Sequence, residues 1–339
     1  MTRLTHSKES FFDLSSHDQV LVGDMTYVVE KAARGGMGFV LLLHLDTMQN
    51  PNLMSAFGLK LALKVILPDA ADEEGLALFK RELTVWCGFR HWNIVWLLDI
   101  VDTGDAGWAA AMDWAIGSLE DMLKDRGKLS LTEGTYIMLH LIDGLSYAYT
   151  KDRVLHLDLK PANVLYHLNI DGLNDDSAGL ENSAFKFRFM ISDWGIASIK
   201  QPSLAKIAGL PPSAAREQYT LNNLGTENYM APERFIKGFP SSVASDVFSL
   251  GMIYLKMLTG SLPFNTAESA YHALASGSYL TESAFLLHSE NVPKSVQRLI
   301  LSMIATSPSD RPDDYRSLRD QIINANNSST GWFAKIFNW

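Results

Sequence analysis

The sequence holds a single cysteine, Cys87. One thiol excludes an internal disulfide and any cysteine-cluster metal site. Cys87 falls on a helical apolar pattern, which predicts a buried packing role. Long hydrophobic runs are also missing. The longest, near Val247 to Leu258, is broken by Lys256, so it reads as a buried helix rather than a membrane span. No extended Lys/Arg run appears and the formal net charge is −9, which argues against a nucleic-acid partner. Met1 to Ser16 are polar and lack the apolar core of a secretory signal. Together these absences predict a reducing, cytoplasmic setting.

What is present suits a packed core. The 339 residues are 47% hydrophobic and 20% charged, which excludes wholesale disorder. Residues 1–25 read as a leader. Three β-rich stretches follow, Tyr27 to Val29, Phe39 to Leu43 and Leu61 to Ile66, punctuated by Gly and Asn/Pro as strands are. Leu76, Phe79, Leu83 and Trp86 recur at three- and four-residue steps, which predicts a helix with one apolar face. From about residue 116 the pattern is helical, with helices expected at Thr132 to Lys151, Asp246 to Leu258 and Lys294 to Ile304. A β-rich first third and a helical remainder predict an α+β architecture in two parts. The stretch Leu168 to Phe185 is rich in Asn, Asp, Ser and Gly and reads as an exposed loop or hairpin extension.

Several polar groups stand where phosphate chemistry needs them. In Arg34-Gly35-Gly36-Met37-Gly38-Phe39-Val40, glycines would let backbone N–H groups approach a phosphate without Cβ interference, although such a turn alone also fits an ordinary hairpin. Lys64 lies in the apolar run Ala62-Leu63-Lys64-Val65 and needs a counter-charge, because a lone buried ammonium is costly. Glu82, in the next helix, is a candidate. In His156-Leu157-Asp158-Leu159-Lys160-Pro161-Ala162-Asn163 a carboxylate, an ammonium and an amide fall within six positions. A second carboxylate, Asp193, ends the strand-like run before Trp194 and Gly195. Carboxylate and amide oxygens together with phosphates are what Mg²⁺ prefers.

These motifs, with Ala231-Pro232-Glu233, Asp246 to Gly251 and Asp310-Arg311-Pro312, resemble the signature of the bacterial-type Ser/Thr protein kinase family over residues 26–323. The resemblance implies a two-lobed kinase-like fold: a small β-rich lobe at about 26–112, a hinge at 113–117, a large, mainly helical lobe at 118–323, and a linker with an aromatic tail at 324–339. It implies transfer of the ATP γ-phosphoryl group to protein hydroxyls, with ATP and Mg²⁺, or Mn²⁺ in its place. Asp158 would be the catalytic base and Lys160 would neutralise the moving phosphoryl group. Asn163 and Asp193 would hold the metal ions, and Thr226 would bond Asp158 and Lys160. Gly35, Gly36, Gly38, Val40, Ala62, Lys64 paired with Glu82, the gatekeeper Met112, and the backbones of Asp113 and Ala115 would bind the nucleotide.

Three departures stand out. Ala33 occupies the first glycine position of the loop. Leu157 replaces the arginine that usually precedes the catalytic aspartate and meets a phosphorylated activation loop, so activity is expected without loop phosphorylation. Trp194 replaces the usual phenylalanine after the metal aspartate. A nucleotide-binding pseudokinase or scaffold and a small-molecule phosphotransferase are the alternatives. Trp332, Phe333, Ile336 and Trp339 would share one face of a short C-terminal helix. That face would fold back onto the chain or dock on a protein partner. The single Lys335 disfavours a membrane surface.

Overall fold

The computed structural model describes residues 2–34, 38–49, 59–66, 83, 86–168, 184–194, 198–199, 227–236, 240–264 and 273–327. They divide into two units, one of residues 1–91 with 95–115 and one of 92–94 with 116–339. Strands and helices are both present, as an α+β fold requires.

Short alternating segments build the first unit. Its strands are β1 (Thr2–His6), β2 (Gln19–Val22), β3 (Met25–Arg34), β4 (Gly38–Leu45), β5 (Lys60–Ile66), β6 (Leu97–Asp102) and β7 (Trp108–Asp113). They close into a barrel in the order β1-β2-β3-β4-β5-β7-β6. A side-chain period of two sends alternate residues inward. Val20, Val22, Phe39, Leu41, Leu43, Leu61, Leu63 and Val65 thereby share one buried cluster.

Residues 1–25 are not a leader. β1 pairs antiparallel with β2, Leu4 opposite Val22, and parallel with β6, Thr2 opposite Val101. The Thr2 hydroxyl donates to Asp99 at 2.6 Å. A turn at Phe11–Asp13, capped by Ser10, buries Phe11 edge-on to Phe39 at a centroid distance of 5.9 Å. Arg34 Nη2 reaches back to the Phe12 carbonyl at 2.7 Å. Without these strands, β3 and β6 would present unpaired sheet edges, which folded chains tend to cover.

Cys87 is also not the buried filler expected. The helical stretch described at Leu83 and Trp86 ends there, and Cys87 lies exposed in the following turn. The helix predicted from Leu76 is described only at those two residues, both buried.

In the second unit, β8 (Gly117–Ser118) leads into α1 (Leu119–Arg126) and α2 (Leu131–Asp152). Ser118 with Asp121 and Ser130 with Glu133 form capping boxes that supply partners for the first free N–H groups of these two helices. β9 (Val154–Leu155), β10 (Val164–Leu168), β11 (Phe187–Ile191) and β12 (Ser198–Ile199) follow. β10 and β11 pair antiparallel from Val164–Ile191 to Leu168–Phe187. The polar stretch between them lies outside the described residues from 169 to 183.

α3 (Val243–Thr259) is buried on nearly every side, as its apolar run predicts, and α4 (Tyr279–Ser289) follows. α5 (Lys294–Met303) buries Val296, Leu299, Ile300 and Met303, one helical face. α6 (Tyr315–Asn327) completes the unit. Gly144 in α2 has a steric reason: a Cβ there would meet the Asn93 carbonyl at 2.8 Å. That carbonyl accepts the Ile191 N–H, so the close approach fixes the end of β11 against α2. Among the described residues no helix is long and apolar enough to cross a membrane. The aromatic tail lies outside them.

Candidate functional site

In the first unit, the barrel's interior takes one face of β4, β5 and β7 and leaves the other to the predicted nucleotide-binding side chains. Register places Val40 opposite Lys64 and Lys64 opposite Ala110, with Ala62 opposite Met112. Val40, Ala62, Lys64 and Met112 therefore share one face, opposite the Phe39, Leu41 and Leu63 face. Asp113 ends β7, and its N–H donates to the Trp96 carbonyl at 3.0 Å. Gly38 opens β4. Gly35, Gly36 and Glu82 lie outside the described residues, as does Thr226 of the second unit.

In the second unit, the segment after β9 is anchored before it reaches Asp158. Asp246, wholly buried in the first turn of α3, accepts from the backbone N–H of His156 at 2.9 Å and of Leu157 at 2.7 Å. The Tyr315 hydroxyl completes its set at 2.8 Å. Burial, then the neighbouring Asp246 charge, holds that phenol well above the usual tyrosine value, so it stays a donor. His156 Nδ1 accepts the Asp158 N–H at 3.2 Å, which leaves Nε2 to donate to the Ser192 carbonyl at 3.0 Å. The imidazole thus bridges the two segments that carry Asp158 and Asp193, while Trp194 packs edge-on to its ring at 4.8 Å.

Asp158, Lys160 and Asn163 come together. Lys160 Nζ donates to Asp158 Oδ2 at 2.9 Å, and Asn163 Nδ2 donates to the same oxygen at 3.1 Å and to the Asp158 carbonyl at 2.8 Å. Asp158 Oδ1 is buried with no hydrogen-bond partner among the described residues. A buried carboxylate oxygen left without a partner is costly. Asn163 and Asp193 lie on adjacent segments, because Ser192 donates its N–H at 2.9 Å and its hydroxyl at 3.1 Å to the Asn163 carbonyl. Asp193 itself has φ 64°. This is the left-handed region that non-glycine residues rarely enter and that clusters at functional sites.

The donor set fits Mg²⁺. Asn163 spends its amide nitrogen on Asp158, and its Oδ1 with the Asp193 carboxylate would be the oxygens offered to a cation. Among the described residues no group of three or more His, Cys, Asp or Glu could hold a metal alone. One or two protein oxygens completed by substrate phosphates is how Mg²⁺ is commonly bound.

A buried network supports this loop. Glu233 is buried and bidentate with Arg311, at 2.9 Å from each terminal nitrogen, and takes the Ser245 hydroxyl at 2.8 Å. Its neighbour Arg234 donates from Nη1 to the Leu157 carbonyl. Asp246 carried a legible signal, a carboxylate at the start of an otherwise apolar helix. Arg234 carried none.

Glu133 anchors the far end of the β10–β11 excursion. It accepts the Ala184 N–H at 3.0 Å, Ser130 through N–H and hydroxyl, and Arg126 Nη2 at 2.8 and 2.9 Å. Burial raises its pKa, but these hydrogen bonds together outweigh burial and hold it below the ordinary glutamate value. A depressed folded pKa contributes stability that is complete above the unfolded value, about 4.3, and is lost as pH falls through the folded value. The thermal midpoint of the wild type is therefore expected to drop more steeply below pH 5 than that of Glu133→Gln. Parallel acid profiles would contradict this assignment.

A family model of the protein kinase domain matches residues 53–323. The glycine-rich segment precedes the matched span. The chain is similar to the serine/threonine-protein kinase PrkC of Bacillus subtilis, 26% identical over 268 residues, covering 78% of this chain and 36% of that protein. It is similar to the serine/threonine-protein kinase PknD of Chlamydia abortus, 26% identical over 328 residues, 91% of this chain and 32% of that protein. It is also similar to the serine/threonine-protein kinase PkaA of Streptomyces coelicolor, 28% identical over 257 residues, 75% of this chain and 41% of that protein. The chain thus spans roughly a third to two-fifths of the length of these relatives.

Proposed function

The chain belongs to the protein kinase domain family, and from that premise we propose that it transfers the γ-phosphoryl group of ATP to serine and threonine hydroxyls of protein substrates. The observation that carries this reading is the Asp158 carboxylate. One oxygen is held by Lys160 and Asn163, and the other is buried and open. Asp158 receives the substrate proton, and Lys160 offsets charge on the moving phosphoryl group. Asn163 and Asp193 hold Mg²⁺, which supplies charge neutralisation on the phosphates when bound. Lys64, paired with Glu82, holds the α- and β-phosphates over the backbone of Gly35, Gly36 and Gly38. Val40 and Ala62 line the adenine site, Met112 borders it, and the Asp113 and Ala115 backbones bond its edge. Thr226 bonds Asp158 and Lys160 from the substrate side. Such chemistry is largely positioning plus stabilisation of spread charge.

The small lobe in this reading starts at residue 2 rather than 26, because β1 and β2 belong to its barrel. Residues 113–117 are the hinge in this reading. Activity needs no activation-loop phosphate, since Leu157 offers no cation to receive one. The test is turnover of phosphatase-treated protein, and of a variant with Ser198, Ser203, Ser213 and Thr220 changed to Ala, on a generic protein substrate. Both are expected to stay within about threefold of untreated wild type. Loss of most turnover with the fold intact would show that a loop phosphate is required.

In this reading the aromatic tail folds back onto its own chain, with docking on a protein partner as the alternative. Deleting residues 331–339 is expected to lower the thermal midpoint. An unchanged midpoint would count against packing on its own chain.

A further inference from the structure

Leu157 is both the place where an arginine is missing and a point of backbone strain. Its φ is 66°, in the region that branched side chains rarely adopt. Two groups hold it from opposite ends of the residue. Its N–H donates to Asp246 Oδ1 at 2.7 Å, and its carbonyl accepts from Arg234 Nη1. The next residue is Asp158, so this clamp sets the direction in which the chain enters the catalytic position.

Arg234 is itself well fixed. It lies in the turn Pro232–Phe235, where its N–H donates to the Ala231 carbonyl at 3.0 Å. The preceding residue, Glu233, is locked to Arg311 and Ser245. The Arg234 guanidinium is partly buried in the field of the Asp246, Asp158 and Glu233 carboxylates. Every member of this group comes from the same unit, and none waits on a modification.

We propose that Arg234 is a positioning residue for phosphoryl transfer, holding the strained Leu157 carbonyl so that Asp158 meets the substrate hydroxyl. This deepens the kinase reading and rests on Asp158 being the base.

The test compares Arg234→Met and Arg234→Lys in the full chain with wild type and Asp158→Asn. Steady-state turnover of a generic protein substrate is read beside calorimetric affinity for ATP with Mg²⁺. A misdirected base costs turnover and leaves nucleotide binding alone, with a misplacement of about 1 Å worth about 10²-fold. Arg234→Met is therefore expected to lower kcat by about 10²-fold while the ATP Kd stays within about threefold. Arg234→Lys, which keeps the charge and one donor, is expected to recover at least about tenfold of that loss. If Arg234→Met does not fold by circular dichroism, Arg234→Gln takes its place under the same expectation. The proposal is overturned if the folded uncharged variant turns over within threefold of wild type, or if its loss lies wholly in ATP affinity. An active Asp158→Asn would instead overturn the assignment of the base.

Discussion

Asp158→Asn is expected to lower phosphoryl transfer by about 10²–10⁴-fold, the range a positioned general base contributes, with ATP affinity nearly unchanged. The substitution is close to isosteric. It keeps an oxygen for Lys160 Nζ and Asn163 Nδ2 to reach, so the 2.9 Å and 3.1 Å contacts have a partner in the variant. What it removes is the proton acceptor at the open, buried Oδ1. A protonated or amide group there cannot accept the hydroxyl proton. The Asp158 N–H contact to His156 and the Asp246 anchor are backbone-directed and should survive. Paired kinetic and calorimetric measurements separate the two effects. Turnover near wild type would remove Asp158 from the base role. A matching loss of ATP affinity would make it a nucleotide contact instead.

Arg311→Met is expected to be the most destabilising single change among the ion pairs, by about 3–5 kcal/mol, the usual cost of stranding a buried charge. Its side chain is fully buried, with Glu233 at 3% exposure. Its five N–H donors all have acceptors: Glu233 Oε1 and Oε2, and the carbonyls of Ala305, Ala244 and Thr306, at 2.6–3.0 Å. Removing the guanidinium leaves a carboxylate whose remaining partner among the described residues is the Ser245 hydroxyl. The surface pair Lys124–Glu120 makes a useful contrast, since its two side chains are 66% and 47% exposed. Such pairs are worth about 0–1 kcal/mol. Denaturant midpoints with an unchanged slope should show the difference. Arg311→Lys should recover only part, because an ammonium cannot reproduce the planar fork. Equal midpoints for Arg311→Met and Lys124→Ala would refute the argument.

The parts legible in the sequence were those with long periodicity or dense motifs. α2 runs from Leu131 to Asp152 against an expected Thr132 to Lys151, and α5 from Lys294 to Met303 against Lys294 to Ile304. Both have strong apolar faces. β3, β4 and β5 contain the three predicted strand stretches. Asp158, Lys160 and Asn163 were legible because three polar groups within six residues of an apolar frame have few other uses.

β1 and β2 were not legible. The first buries only Leu4 and the second only Val20 and Val22, so four- and five-residue strands left almost no pattern in a polar stretch. The exposure of Cys87 was not legible because the apolar helical spacing continues in the sequence past the point where the helix ends. Arg234 was invisible for a different reason. Its role depends on the left-handed backbone of a residue 77 positions earlier, and no local pattern encodes that.

One measurement reads phosphoryl transfer to protein hydroxyls directly. The full chain is incubated with γ-labelled ATP, Mg²⁺ and a generic protein substrate, and the labelled protein is hydrolysed to its phosphoamino acids. Label is expected on phosphoserine and phosphothreonine, dependent on Mg²⁺ and absent with Asp158→Asn. No label on protein, while ATP still binds, would contradict it, as would label confined to phosphotyrosine or a small molecule.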